Sequence, residues 1–321
     1  MSGIRRFEGK RILVTGAAGF IGSHLVRALV KASGTVHGLV SPASNLQRLE
    51  TVVDQIRLWR GDTRDGSFVQ HVVTETTPQI VYHLADYGIR QGQTDLNQMI
   101  SVNVLGLCNL LDALREIPLE CFVNSGTSAE YGPKSQPMEE SEVLHPDTFY
   151  GASKAAGSLL SQAFGRSQKR RVITLRLFCV YGPQENPNRF IPTAIRSCLE
   201  GSVLRLTSRQ EKRDFVFIED VVEAFLLAAC NIAVRSEIIN IGTGVETTLE
   251  QVVGIVESCV GKKLQFREGA YENRQWSSPC WAPDVRNAAK ILGWKPTHDL
   301  ERGLRKTVHW VQSEMAAKAP G

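Results

Sequence analysis

Short apolar runs alternate with amphipathic stretches through the first two-thirds of this chain. The runs at residues 11–15, 35–40, 56–59, 80–84, 121–125, 172–178 and 238–241 are rich in Val, Ile and Leu. Each is bounded by turn-forming residues and is too short for a helix, so each predicts a strand. Between them, residues 24–32, 103–115 and 154–164 carry apolar side chains at helical spacing. Strands alternating with helices predict βαβ units, and runs apolar throughout predict strands covered on both faces. The expected architecture is α/β, a doubly wound parallel sheet. After Gly182 the pattern changes, because Pro183, Pro187 and Pro192 break the chain. A second irregular stretch covers residues 262–283, and Gly293-Trp294-Lys295-Pro296 predicts a turn before the last helix. Two units are expected: residues 1–178 plus about 214–261, and a smaller unit of about 179–213 plus 262–321.

Composition narrows the functional classes. The chain has 321 residues, 42% hydrophobic and 22% charged, which suits a folded domain with one smaller addition. Its formal charge of +4 is scattered, and Lys169-Arg170-Arg171, the strongest basic run, sits directly before an apolar strand. With no aromatic platform or basic stripe, nucleic acid is not an expected partner. Seven cysteines without CxxC spacing predict neither a disulfide framework nor a metal site. Cys108, Cys121 and Cys230 read as small buried residues. The apolar stretch at residues 221–230 contains Glu223 and is too short to span a bilayer, so no membrane association is expected. A strand starting near residue 11 leaves no room for a signal peptide, and the expected compartment is the cytoplasm.

The first strand runs into Gly16-Ala17-Ala18-Gly19-Phe20-Ile21-Gly22. Gly16 permits a tight turn, Gly19 lets backbone N–H groups approach a pyrophosphate, and Gly22 allows close helix packing. The helix amino terminus then favours phosphate charge. Placed between strand and helix, this GxxGxxG spacing resembles the Rossmann-type short-chain dehydrogenase/reductases, especially the extended branch of nucleotide-sugar epimerases and dehydratases. The resemblance implies that Phe20, Ile21, Leu84 and Ala85 line a dinucleotide and that Asp62 contacts its adenine. In that branch an acidic residue ends the second strand and holds the ribose hydroxyls. Here the sequence is Gly38-Leu39-Val40-Ser41, so Ser41 takes that place and Arg48 stands where it could meet a 2′-phosphate. NAD is the expected cofactor, with NADP left open.

Tyr150 and Lys154 lie four apart at the start of a helical pattern and share one helix face. A lysine charge there favours a phenolate and reaches the nicotinamide ribose. Within the resemblance they are the catalytic pair, Thr127 the hydroxyl that holds sugar O4, and Asn103 a supporting residue. A turn-stabilising hydroxyl is the competing reading of Thr127. The expected chemistry is transient oxidation at C4 of a nucleotide-linked sugar.

The resemblance extends over nearly the whole chain. It implies Ser128, Cys179, Arg213 and Arg274 as substrate-binding residues, with Arg213 on the diphosphate or nucleoside and Arg274 on the diphosphate. It also implies a homodimer through the helix carrying Tyr150. Several positions depart from the pattern. Cys179 replaces an asparagine before Val-Tyr-Gly-Pro, and either loses a phosphate contact or simply fills space. Ala129 stands where 4,6-dehydratases carry the glutamate that takes the C5 proton. Glu130 is one residue away, where a bulged loop would aim it inward, and Asp86 places an unusual carboxylate beside the nicotinamide. These extra groups tilt the reading towards water elimination across C5 and C6. They resemble the UDP-hexosamine 5,6-dehydratases of the tunicamycin pathway, in which hydride returns to C4 and a 5,6-alkene remains. A UDP-sugar 4-epimerase, a 4-keto-sugar reductase and a non-catalytic dinucleotide sensor stay open as alternatives.

Overall fold

The computed structural model describes residues 7–89, 92–233, 235–269 and 279–318. Its centre is a seven-stranded parallel sheet. The strands are β1 (Arg11–Thr15), β2 (Thr35–Val40), β3 (Arg57–Arg60), β4 (Ile80–His83), β5 (Cys121–Thr127), β6 (Val172–Leu177) and, later in the chain, β11 (Ser236–Ile241). Their order is β11-β6-β5-β4-β1-β2-β3. The direction of winding reverses between β1 and β4, and the carboxyl ends of these two strands therefore open the crevice in which such sheets bind ligands.

Alternation along the strands explains the two-sided cover. Ile12 and Val14 join one core, while Leu13 between them joins the other, and all three are completely buried. The first face is covered by α1 (Phe20–Lys31) and α7 (Ile218–Cys230), and its core continues into α6 (Phe190–Glu200), α8 (Leu249–Val260) and α9 (Leu300–Lys318). The second face is covered by α2 (Gly66–Thr76), α4 (Gly106–Ala113) and α5 (Phe149–Ser167). A fully buried Leu, Ile or Val contributes roughly 1.5–3 kcal/mol, so the two cores hold the crevice rigidly.

The element expected at residues 103–115 is two pieces. After α3 (Leu96–Ile100) a π-helical turn covers Ser101–Leu105, and α4 follows it directly. Beyond β6 the chain forms short pairs: β7 (Cys179–Tyr181) parallel to β10 (Phe215–Phe217), β8 (Leu204–Arg205) parallel to β13 (Phe266–Arg267), and β9 (Lys212–Arg213) antiparallel to β12 (Thr247–Thr248). The Gly293 turn occurs as expected, with Gly293 at φ +65° and Trp294 buried behind it.

That turn is tied to α7 by one carboxylate. Asp220, buried, accepts from Thr297 N at 3.1 Å, Thr297 Oγ1 at 2.6 Å and His298 N at 3.1 Å, while Trp294 Nε1 donates to its carbonyl at 2.9 Å. Asp220→Ala removes the shared acceptor of the Thr297 and His298 donors, each such bond to a charged group contributing about 1.5–3 kcal/mol. Thermal denaturation should show Asp220→Ala melting well below the parent. An unchanged melting temperature would dissolve this anchoring role.

Candidate functional site

The crevice begins at the turn between β1 and α1. Gly16 sits at φ +68°, and a Cβ there would lie 2.6 Å from the Leu84 carbonyl oxygen. A Cβ on Gly22 would lie 2.2 Å from the Gly16 carbonyl oxygen. Both positions therefore require glycine. Gly19 caps α1 with no side-chain hydrogen bond, and the first turn has no acidic residue. The N–H groups of Phe20, Ile21 and Gly22 are consequently left for an anion, the arrangement a dinucleotide pyrophosphate requires.

Asp62, after β3, is held by Arg64 through Nε at 2.9 Å and Nη2 at 2.6 Å, and this partner lowers its carboxyl pKa. Ser41 is exposed, with its hydroxyl 2.9 Å from Ser44 Oγ. Arg48, placed by sequence near a 2′-phosphate, instead donates from Nε to Gln184 O at 2.9 Å. Thr15 Oγ1 accepts from Leu84 N and Ala85 N, both at 3.2 Å, so the loop after β4 is fastened to the phosphate turn.

Tyr150 and Lys154 occupy the first turns of α5, and both are buried. Thr148 caps this helix by accepting from Gly151 N at 3.0 Å. The glycine of Tyr-Gly-Ala-Ser-Lys has a steric reason: a Cβ on Gly151 would come 2.3 Å from Ala129 O. The helix can thus approach the turn carrying Thr127. Asn103 in the π-helical turn donates to Ser153 Oγ at 2.9 Å and Tyr87 O at 2.8 Å, and accepts from Tyr87 N at 2.8 Å. Asn103 is therefore a clamp between α5 and the loop after β4.

That loop brings Asp86 to Tyr150, whose hydroxyl donates to Asp86 Oδ2 at 3.2 Å. Burial first, and then the Asp86 charge and hydrogen bond, push the Tyr150 phenol well above its ordinary value; Arg189 opposes them. Lys154 lies close enough to His83 for its charge to add to burial, which together hold that imidazole down to about 3. Across the crevice, Thr127 ends β5. Its Oγ1 accepts from Ala129 N at 3.3 Å, and its own hydroxyl hydrogen makes no bond among the described residues. Ser128 is buried beside it.

Glu130 requires a correction. It does not point into the crevice. It is wholly buried, accepts from Thr127 N at 2.8 Å through Oε1, and pairs through Oε2 with Arg176 Nε at 2.8 Å. Arg176 is itself buried and lies 4.5 Å over the Tyr131 ring. A capping box and a strand partner outcompete a bulge, because an unpaired carboxylate at this depth is far costlier.

Cys179 begins β7 beside Phe215, and burial raises its thiol, which stays protonated at neutral pH. Arg213 pairs with Glu211, donates to Lys212 O at 2.6 Å and stacks 5.0 Å over Trp281. Arg274 lies outside the described residues. Two charged residues were missed by sequence reading. Glu185 is buried, pushed up to about 7 by desolvation that Arg189 only partly offsets, with Arg189 Nε 3.4 Å from Oε1. Arg189 is the N-cap residue of α6 and faces both Tyr150 and Cys179 electrostatically. The one sequence signal was their spacing of four after Tyr-Gly-Pro, hidden among prolines.

Comparison with known proteins gives the family and the fold. Residues 12–242 match the model of the NAD dependent epimerase/dehydratase family. A putative UDP-glucose 4-epimerase of Methanocaldococcus jannaschii is 27% identical, over 94% of this chain and 98% of that protein. The dTDP-D-glucose 4,6-dehydratase of Mus musculus is 31% identical, over 94% of this chain and 88% of its own length. Among solved structures, the Bacillus cereus UDP-glucuronic acid 4-epimerase in complex with UDP-glucuronic acid and NAD has a TM-score of 0.84 at 27% identity, covering 94% of this chain and 99% of that one.

The two roles conceivable for Glu130 separate by measurement. In the buried pair, Glu130→Gln leaves the Arg176 charge uncompensated, a loss of about 3–5 kcal/mol. Thermal melting should fall sharply, while turnover per folded molecule at low temperature stays close to the parent. An unchanged melting temperature with turnover lost would restore Glu130 as an acid–base group.

Proposed function

The chain belongs to the NAD-dependent epimerase/dehydratase family, and from that premise we propose that it interconverts C4 epimers of a UDP-linked hexose or N-acetylhexosamine. NAD is the cofactor; Gly16, Gly19 and Gly22 would hold its pyrophosphate, and when bound it would supply the reversible hydride acceptor that C4 oxidation requires. Tyr150 exchanges the O4 proton, Thr127 donates a hydrogen bond to O4, and Lys154 supplies positive charge beside both. The observation that carries this reading is the composition of the crevice. Tyr150 packs against Ala129 in the turn that Thr127 opens, and Lys154 follows one turn along the same helix, whereas Glu130 is consumed in a buried pair and Cys179 is a neutral thiol. A 4-epimerase needs no separate base for C5. The UDP-sugar epimerases among the similar proteins support the same substrate class.

One observation favours a second reading. Asp86, against the Tyr150 hydroxyl, is a carboxylate beside the reacting centre and could take a C5 proton made acidic by the 4-ketone. The enzyme would then be a dehydratase eliminating water across C5 and C6, with a 5,6-alkene if hydride returns to C4.

The smaller unit, about 179–213 plus 262–321, closes the substrate side in either case, with Arg213 and Arg274 assigned to the diphosphate. No described helix is long and apolar enough to cross a membrane, and a cytoplasmic location accompanies this proposal. A homodimer accompanies it too. Ile100, Leu105 and Leu159 are 40%, 54% and 57% exposed, on neighbouring segments of the α3–α4 region and α5. A second copy would bury that patch.

Two experiments test the proposal. Incubation with UDP-, GDP-, CDP- and dTDP-sugars, followed by mass spectrometry and proton NMR, should show unchanged mass with inverted C4 coupling for a UDP-sugar. Loss of water with a vinylic signal would establish elimination, and net consumption of NADPH would establish a 4-ketoreductase. Light scattering should give twice the chain mass, falling to the single-chain mass in Leu105→Glu/Leu159→Glu. A parent already monomeric would end the dimer proposal.

A further inference from the structure

The far rim of the crevice, where β2 and β3 end, carries positive charge and no negative charge to match it. Val40, the last residue of β2, is in register with Arg60, the last of β3, and Gly61 N donates to Val40 O at 3.0 Å. Ser41 and Arg60 therefore stand on the same rim. Ser44 N donates to Ser41 O at 3.0 Å, and the two serine hydroxyls lie 2.9 Å apart, which closes a small turn over residues 41–44. The Arg60 guanidinium curls onto this turn, its Nη1 donating to Pro42 O at 3.1 Å and Ser44 O at 3.5 Å. Its Nε and Nη2 make no hydrogen bond among the described residues.

The acidic side of the balance is missing. No Asp or Glu occurs between Gly38 and Leu49. Asp62, two residues beyond Arg60, has its charge compensated by Arg64, with Nε at 2.9 Å and Nη2 at 2.6 Å from Oδ2. Arg27 and Arg48 are turned away towards the other wall, Arg27 to the Gln184 side chain and Arg48 to the Gln184 carbonyl. A dinucleotide fold selects against a 2′-phosphate with a carboxylate after the second strand, which bonds the ribose hydroxyls and repels the phosphate. A nearby arginine in place of that carboxylate accommodates the phosphate instead.

We propose that this rim is a 2′-phosphate site, so that the chain binds NADP as well as NAD. Ser41 and Ser44 supply hydroxyls, and Arg60 supplies a guanidinium whose planar N–H groups suit phosphate oxygens. The Pro42 and Ser44 carbonyls hold one arm of that fork on the turn and leave the rest for the ligand. A serine hydroxyl both donates and accepts, so the same residues serve an unphosphorylated ribose. NAD keeps its place, and the rim differs from an acidic one in what else it tolerates. The site lies on the adenosine half of the cofactor and is independent of the reaction carried out at the nicotinamide.

Calorimetric titration of the full chain with NAD and NADP tests the site without turnover, with AMP and adenosine 2′,5′-bisphosphate as fragment probes. The parent should bind NADP within about tenfold of NAD, and the bisphosphate about tenfold more tightly than AMP. Arg60→Ala should weaken NADP and the bisphosphate about tenfold and leave NAD and AMP unchanged. Ser41→Asp should weaken NADP about a hundredfold while NAD binds as in the parent. Both residues are exposed, so both variants should melt with the parent. Added salt should narrow the advantage of the bisphosphate over AMP, because the rim is open to solvent. A parent that binds NADP more than about a hundredfold more weakly than NAD would overturn the phosphate site and leave the NAD site standing. Equal loss of NAD and NADP in Arg60→Ala would also overturn it, by reducing Arg60 to a support for the turn.

Discussion

The backbone of Leu84 passes through the volume that a side chain at position 16 would need. This close approach occurs where β1 and β4 diverge, and most of the site depends on it. It requires glycine at a left-handed turn, with the Leu84 oxygen 2.6 Å from the absent Cβ. It also seats the loop after β4 on the phosphate turn, where Thr15 Oγ1 takes both N–H groups of Leu84 and Ala85. The position of Asp86 relative to a bound dinucleotide therefore follows from strand geometry. The same device recurs twice: Gly22 lets α1 approach Gly16, and Gly151 lets α5 approach Ala129. Three backbone approaches, none possible with a methyl group in the way, set the β1–α1 turn, the loop after β4 and the start of α5 against one another.

Within that frame, three carboxylates acquire different roles from their partners. Glu130 has a full partner in Arg176 and no solvent, and breaking such a pair costs several kcal/mol. Its work is to hold β5 to β6 beneath Thr127. Asp86 faces solvent on one side and a phenol on the other, so little of the fold depends on it. Glu185 is intermediate, buried with Arg189 at 3.4 Å and one oxygen, Oε2, without a partner among the described residues. Sequence proximity to the reacting tyrosine would rank these residues poorly; the partner decides.

The parts of this arrangement legible in the sequence are those encoded locally. Strand periodicity located all seven strands of the main sheet, because burial on both faces writes a continuous apolar run. The glycine turn and Tyr150–Lys154 were legible because backbone clearance and helical spacing depend on a few neighbouring residues. Asp86 was visible as an anomaly, but its partner is 64 positions away and only folding brings them together. Glu130 misled because Arg176, 46 positions on, resembles any strand residue until β5 and β6 pair. The π-helical turn that aims Asn103 was hidden for a related reason. A one-residue widening of a helix leaves the apolar period nearly intact, so residues 103–115 read as one element.

The last connection joins the two sides of the crevice. His24 on α1 lies 2.9 Å from Pro183 O, Arg27 donates to the Gln184 side chain at 2.8 Å, and Arg48 donates to Gln184 O at 2.9 Å. Gln184 adopts φ +67°, a conformation that costs a non-glycine residue about 1–3 kcal/mol and persists where neighbours enforce it. These cofactor-side groups are the neighbours that do so. The next residues are Glu185 and, four further on, Arg189, whose charge reaches Tyr150. The helix that would receive the pyrophosphate thus holds the turn whose continuation faces Tyr150. The first helix and the turn before α6 are built on one continuous set of contacts, which is why the chain between β7 and α6 is proline-broken and irregular: it conforms to its partners rather than to a helical or strand period.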